Sequence, residues 1–366
     1  MANGKRLIYI LITMAVTGFP LYYILVTKHK GNAIVSALTN PNVKHYEVEI
    51  SVEVEGSKLS QTKDERGKTL DRIDAVLCKR IDLSGGTLTH KDISIEKGSL
   101  SYVVSDVVDT NALAWLFSRQ GKLEFYDTWE NRELLSSLED INKKLEENNG
   151  KNTLQSANGA DISKQTASLF KVLFPNLEPN RGAIEGGGPA QGPIVGMSFL
   201  KDTAKVNEYL NLPGISSLLP RGVYLLWGAN PANKEKTVLF LYAIKRPPYM
   251  TEAPLTGKAV TDAFNAYEEN GNPEVEITLN ADAAPKWERM TEAAANSQVN
   301  GIPVKRCIAI VLDNKVFSAP RVSQKIIGGR MQITGVENAA AAANLANIIK
   351  SGETEAPVLV KSYKVK

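Results

Sequence analysis

Between Tyr46 and Glu55 the chain reads YEVEISVEVE. Tyr46, Val48, Ile50, Val52 and Val54 alternate with Glu47, Glu49, Ser51, Glu53 and Glu55. A period of two held over ten residues is the pattern of a half-buried strand, here with an acidic outer face. Helix-period spacing follows at Leu70, Ile73, Val76 or Leu77, and Ile81, with charges between them. Ile93–Ile95 and Leu100–Val104 read as a hairpin around Lys97-Gly98. Asp109 or Thr110 caps a helix running to Phe117, and Leu123–Tyr126 is a short strand. The order β-α-β-β-α-β predicts a two-layer α+β unit over residues 44–128. A last strand, Val358–Val365, brings Lys361, Lys364 and Lys366 to face the acidic first strand.

Leu7 to Thr27 carries no charge. As a helix, its length of about 31 Å matches a bilayer core of about 30 Å. Lys5 and Arg6 precede it, and Lys28, His29 and Lys30 follow. The run is too long for a signal-peptide core and ends in charges rather than a cleavage site, so it is expected to be an uncleaved single-pass anchor. The positive-inside rule weakly places the N-terminus in the cytoplasm and the rest of the chain outside it.

The middle of the chain is loop-rich. Leu134–Leu145 looks helical and then gives way to a polar, aromatic-free stretch. Glu178–Pro193 is a second flexible segment. Its Gly-Gly-Gly lacks the Gly-Lys-Ser/Thr ending of a phosphate cradle. Ile194–Phe199, Val223–Trp227 and Val238–Ile244 read as strands, and Lys205–Leu212 as a helix. After Pro247-Pro248 the reading is a helix over Ala259–Glu269, a strand through Val275, Ile277 and Leu279, and a helix over Asp282–Ala295. A hairpin turns about Asp313-Asn314, a strand covers Met331–Thr334, and an Ala-rich helix over Asn338–Lys350 is stopped by Gly352.

Composition removes several function classes. Among 366 residues, 43 Lys and Arg nearly balance 40 Asp and Glu, which leaves no electrostatic footprint for nucleic acid. Two cysteines and three histidines are too few for a disulfide scaffold, a Cys-rich zinc site or an iron–sulfur site. Cys78 and Cys307 read as two separate buried thiols. Ser168-Leu169-Phe170-Lys171 matches S-x-x-K without its companion motifs and reads as a helix face. Trp227, Trp287, Phe317 and Phe264 are expected in the core. No catalytic, cofactor-binding or metal-binding residue and no small-molecule substrate site is assigned.

Residues 255–359 carry more specific motifs. They are Leu255-Thr256-Gly257, then PEVEITL from Pro273, then IAIVLDNKVFSAPRV from Ile308 to Val322. Gly328-Gly329, Gln332-Ile333-Thr334-Gly335, the Ala-rich helix and Glu355-Ala356-Pro357 complete the set. In this order they resemble the first periplasmic domain of SecD, the accessory membrane protein of the bacterial Sec translocon. Leu123–Asn131 also resembles the place where that family leaves its base, and Glu130–Met250 the enlarged head of some SecD–SecF fusions. The early Gly-Leu-Asp-Leu-x-Gly-Gly motif of SecD has only a weak echo here, Ser84-Gly85-Gly86. The family's five further membrane helices, with the carboxylate tied to proton flow, have no counterpart in this sequence.

The resemblance implies an α+β fold with an N-terminal transmembrane helix and a ferredoxin-like base interrupted by a large inserted α+β head. The bounds read as an anchor over 1–30, a base over 31–128 and 356–366, and a head over 129–355 with loops near 146–165 and 178–193. It implies a stand-alone or truncated relative in the bacterial inner membrane. Its body would bind exported polypeptide or a Sec translocon subunit, catalyse nothing and contain no proton-driven motor. The alternative is an envelope scaffold that reuses the head for a partner outside the Sec system. The family-motif residues are Leu312, Asp313, Asn314, Lys315, Val316, Phe317, Ser318, Ala319, Pro320, Gly328, Gly329 and Gly335, with an interaction or structural role. Asp313 is read as a turn former rather than an acid or base.

Overall fold

The computed structural model describes residues 43–55, 62–149, 167–178 and 189–366. The proposed anchor, Leu7 to Thr27, lies outside the described residues, as do residues 150–166 and 179–188 of the two loop segments. Among the described residues no helix is long and apolar enough to cross a membrane.

Along the chain the first elements are β1 (Tyr46–Val54), α1 (Lys63–Ser84), β2 (Thr87–Ser94), β3 (Ser99–Val107), α2 (Thr110–Phe117), β4 (Leu123–Asp127) and α3 (Leu135–Asn149). Next come β5 (Phe174–Pro175), β6 (Ile194–Phe199), α4 (Thr203–Leu210), β7 (Val223–Trp227), β8 (Val238–Lys245), β9 (Leu255–Thr256), β10 (Val260–Tyr267) and β11 (Pro273–Leu279). The chain closes with α5 (Ala284–Ala295), β12 (Ser297–Val299), β13 (Ile302–Val304), β14 (Ile308–Leu312), β15 (Lys315–Ser318), β16 (Arg330–Ile333), α6 (Ala339–Ser351) and β17 (Val358–Val365). The chain forms two compact units. One gathers its residues up to Gly121 with Val260–Thr278 and Met331–Lys366; the other holds Lys122–Ala259 and Leu279–Arg330.

In the first unit, β17-β1-β3-β2 form an antiparallel sheet. The alternation in β1 does what its period demands. Val48, Ile50, Val52 and Val54 are buried with Leu100, Tyr102 and Val104 beneath Leu70, Ile73, Leu77 and Ile81 of α1 and Leu113 and Phe117 of α2. Each such side chain contributes roughly 1.5–3 kcal/mol by leaving water. On the wet face Lys361 pairs with Glu53 at 3.0 Å, and Lys366 reaches Glu47 and Glu49. Asp109 is the N-cap of α2, its carboxylate accepting from the Ala112 N–H at 2.9 Å. Gly85 ends α1 in the left-handed region, φ 83°.

Beneath that core lies Arg80, fully buried. Its guanidinium donates to the carbonyls of Leu116, Arg119, Gln120 and Gly352 and to the Ser351 hydroxyl, at 2.6–3.2 Å. The orphan carbonyls at the ends of α2 and α6 thus converge on one cation, which satisfies them and complements both helix dipoles.

The same unit holds a sheet ordered β10-β11-β16, with α6 against β10. Lys350 of α6 pairs with Asp262 at 2.7 Å. The helix expected over Ala259–Glu269 is therefore a strand, preceded by a short 3-10 turn at Gly257–Ala259. Val260, Ala263, Phe264 and Tyr267 have helical spacing, but a run this short is ambiguous and pairing with β11 decides it. Phe264, expected in the core, is 44% exposed as a result.

The second unit contains the sheets β15-β14-β4-β9 and β5-β6-β8-β7 and the small β12-β13 hairpin. Helices α3 and α4 cover one face of β5-β6-β8-β7. Leu134, Leu138, Ile141, Leu145, Val206 and Tyr209 pack there with Val195, Leu241 and Ala243. A second cluster joins Leu226 and Ile244 to Tyr126, Ala309, Val311 and Val316. Trp287 is buried, and Trp227 and Phe317 are half-buried.

Candidate functional site

The family-motif residues resolve into a hairpin, a glycine turn and a separate glycine. Leu312 ends β14 and is buried. Asp313 and Asn314 form a two-residue turn with φ of 50° and 60°, the left-handed pair that a tight hairpin needs. Asp313 is tied at two points to Lys122. Its Oδ1 accepts from the Lys122 N–H at 2.9 Å, and its own N–H donates to the Lys122 carbonyl at 3.1 Å. Lys315, Val316, Phe317 and Ser318 are β15, with Val316 buried and Lys315 exposed. Ala319 and Pro320 lead away half-buried, and the Pro320 carbonyl accepts from the Ile308 N–H at 3.1 Å. Gly329 turns with φ 63°, and a Cβ there would lie 2.9 Å from that of Ala284. Its carbonyl accepts from the Leu279 N–H. Gly328, exposed, precedes it, while Gly335 belongs to the first unit and is exposed.

Sequence reasoning passed over a cluster of charges in the second unit. Arg306, just before β14, forms a two-pronged pair with Glu133 at 2.6 and 2.8 Å and donates to the Thr128 carbonyl at 3.0 Å. Burial works against charge on Glu133. The Arg306 bonds, the Glu130 N–H and the Arg306 charge together outweigh it and hold the carboxyl below its ordinary range. Glu130 is fully buried and accepts from the Gly192 N–H at 2.9 Å, and the Asn131 N–H donates to the Gly192 carbonyl at 2.7 Å. Half-buried Lys245 has its ammonium 5.1 Å from the centre of the Trp129 ring. Burial, with Arg306 nearby, pulls its pKa down, while burial pushes Asp127 up. The available signal was Glu130-Asn131-Arg132-Glu133 itself. A carboxylate three residues after another acceptor marks a helical start, here a capping box on Asn131–Glu133.

The Ser168 hydroxyl of the S-x-x-K match lies within hydrogen-bond distance of the Asn142 and Glu146 side-chain oxygens of α3, sharing its one proton between them, and Ser168 heads the 3-10 turn Leu169–Lys171, a packing role. Cys78 and Cys307 are free thiols, and Cys78 is half-buried rather than buried. Among the described residues no group of three or more His, Cys, Asp or Glu has the arrangement of a metal site.

What the second unit does present is aromatic. Residues paired across antiparallel strands share a face. The registers Phe174↔Met197↔Phe240 and Phe199↔Val238 therefore put five apolar side chains on one side of β5-β6-β8. Phe174 and Phe199, both more than 40% exposed, meet edge to face at 6.0 Å, and the Lys201 ammonium lies 5.8 Å from the Phe199 ring. Such a face offers dispersion and apolar contact to side chains of another molecule without selecting their sequence.

The family described as SecDF, P1 head subdomain, matches residues 237–356. The protein translocase subunit SecD of Rhodothermus marinus is 30% identical over 302 residues, which cover 80% of this chain and 45% of that protein. SecD of Acidaminococcus fermentans is 43% identical over 98 residues, 27% of this chain and 21% of that one. A crystal structure of SecDF in its super-membrane-facing form aligns with a TM-score of 0.47 and 17% identity over 91% of this chain and 33% of its own. The chain spans less than half the length of these curated relatives. The resemblance carried by the motifs of residues 255–359 is thus borne out, and the chain belongs to the SecD and SecDF family, which it matches in the first periplasmic domain.

Proposed function

We propose that this protein acts in Sec-dependent protein export as a membrane-anchored periplasmic accessory whose body contacts polypeptide in transit or a subunit of the translocon. The observation that carries the reading is the similarity to a protein translocase subunit across 302 residues. The aromatic side of β5-β6-β8 supports it, because a moving chain has to be held by contacts that tolerate many sequences and release quickly. In this reading residues 1–30 are the inner-membrane anchor. Residues 31–128 with 356–366 are the base, and residues 129–355 are the head. The motif from Leu312 to Pro320, with Gly328 and Gly329, shapes the part of that head that lies in the second unit. Tethering to the membrane raises the local concentration of the body beside the channel.

The test is a photo-crosslinker at Phe199 in native membranes that carry a secretory precursor stalled in the channel. The expected adducts are with the precursor or a channel subunit, and they disappear when the precursor is chased to completion. Adducts that ignore the presence of the precursor and contain no translocon subunit would overturn the proposal.

A further inference from the structure

Tyr249 is 83% exposed, the most exposed of the large apolar side chains among the described residues. It does not sit on a slack loop. The Met250 N–H donates to the Pro247 carbonyl at 2.9 Å, closing a turn with Pro248 and Tyr249 at its centre. Proline at the first central position has its φ preset for such a turn. At the root, the Arg246 N–H donates to the Gly222 carbonyl at 2.8 Å. Gly222 has φ +83°, and a Cβ there would stand 3.2 Å from the Pro247 Cα, so this close approach needs glycine. At the far end Met250 packs against the cluster of Leu226, Ile244 and Val316.

Two arginines stand at the root of the turn. The Arg246 guanidinium lies 5.1 Å from the centre of the Tyr224 ring, itself 39% exposed. Arg221 is exposed and immediately precedes Gly222. Neither has an ion-pair partner among the described residues.

We propose that this corner of the second unit is a docking point for a partner protein offering an apolar pocket for Tyr249 ringed by carboxylates for Arg221 and Arg246. Three physical points support it. A backbone already held by two prolines and a closed turn loses little conformational entropy when the Tyr249 side chain docks. Tyrosine and arginine are the side chains that most often dominate interface energy. The unpaired guanidinium charge calls for an acidic surface, which would also steer the approach. A lipid headgroup surface fits less well, since such sites gather four to eight basic residues rather than about two. The proposal does not depend on a role in export.

The experiment places photoreactive p-benzoylphenylalanine at position 249 of the full chain in native membranes, with position 302 as a control. Ile302, at 58% exposed, is on the β12-β13 hairpin. The expected result is a discrete protein adduct whose cross-linked segment contains Asp or Glu. Its yield falls about tenfold in the Arg221→Glu, Arg246→Glu double variant, the scale of one hot-spot contact. Changing the mapped partner carboxylate to lysine restores it. Three outcomes overturn the proposal: equal yield in the charge-reversed variant, the same adducts from position 302, or adducts to phospholipid alone with co-sedimentation on phosphatidylglycerol-rich vesicles. Arg221 and Tyr249 are exposed and Arg246 is half-buried, so an unchanged thermal melt verifies that each variant is folded.

Discussion

Arg306 and Glu133 face each other as parallel forks, two N–H groups to two carboxylate oxygens at 2.6 and 2.8 Å, with side chains 8% and 18% exposed. The pair joins the start of β14 to the segment that follows β4. Removing one member strands the other charge in a water-poor site. Arg306→Met is expected to destabilise the second unit by about 3–5 kcal/mol. Arg306→Lys recovers only part of this, since a lysine cannot make both bonds. Denaturant melts followed by Trp129 and Trp227 fluorescence measure both. A loss below about 1 kcal/mol for Arg306→Met would contradict the arrangement.

The same pair sets an acid dependence. Glu133 has its folded pKa held below the unfolded value. Its contribution is therefore present above the ordinary carboxylate range, near about 4.3, and is lost as pH falls through the lower folded value. Lys245 works in the opposite sense. Its folded pKa is depressed by burial, so between that value and about 10.4 the unfolded chain binds the extra proton and stability rises with pH. Lys245→Met is expected to melt higher than the parent at pH 7, with the gap closing as pH approaches 10. A pH-independent gap would show that Lys245 acts by packing alone.

Arg80 carries the first unit. Arg80→Met takes the guanidinium away from the buried Leu116 carbonyl and the part-buried Arg119 and Gly352 carbonyls, and an expected loss of about 3 kcal/mol or more follows. Gly121→Ala attacks the same place from outside. Gly121 has φ +85°, and a Cβ would stand 2.8 Å from Arg80 Nη2 and 2.9 Å from the Gly352 carbonyl oxygen. Hydrogen exchange in α6 should accelerate in both variants, and unchanged protection would refute the shared hub.

The Asp313-Asn314 turn separates a structural role from a chemical one. Asp313→Asn keeps both the side-chain acceptor and tolerance of positive φ, and should cost less than about 1 kcal/mol. Asn314→Val forces a β-branched residue into φ 60° and should cost about 1–3 kcal/mol. If Asp313→Asn instead abolished an export phenotype without shifting the melt, the carboxylate itself would be functional.

Both thiols are pushed up to about 11 by burial, Cys78 with help from the Asp74 carboxylate that accepts its S–H. At pH 8 about one thiol in a thousand is ionised, so both should react far more slowly than free cysteine. Cys307, 4% exposed, should label only on unfolding. Rapid labelling of Cys307 in the native protein would contradict its burial.

The local elements were largely legible because their physics is local. The alternation of Tyr46–Glu55, the Asp109 cap, the Asp313-Asn314 turn, Gly352 and the basic last strand each act within a few residues of sequence, and each is where its pattern places it. The Sec-type motifs between Leu255 and Pro357 were legible for a different reason, being an ordered set of short segments. Partners distant in sequence decided the rest. Val260–Tyr267 has helical spacing yet becomes a strand because β11 satisfies its backbone. Arg306 finds Glu133 across 173 residues, and Arg80 finds Gly352 across 272. A buried charge is stable only where its partners converge, and that convergence exists only once the chain has folded.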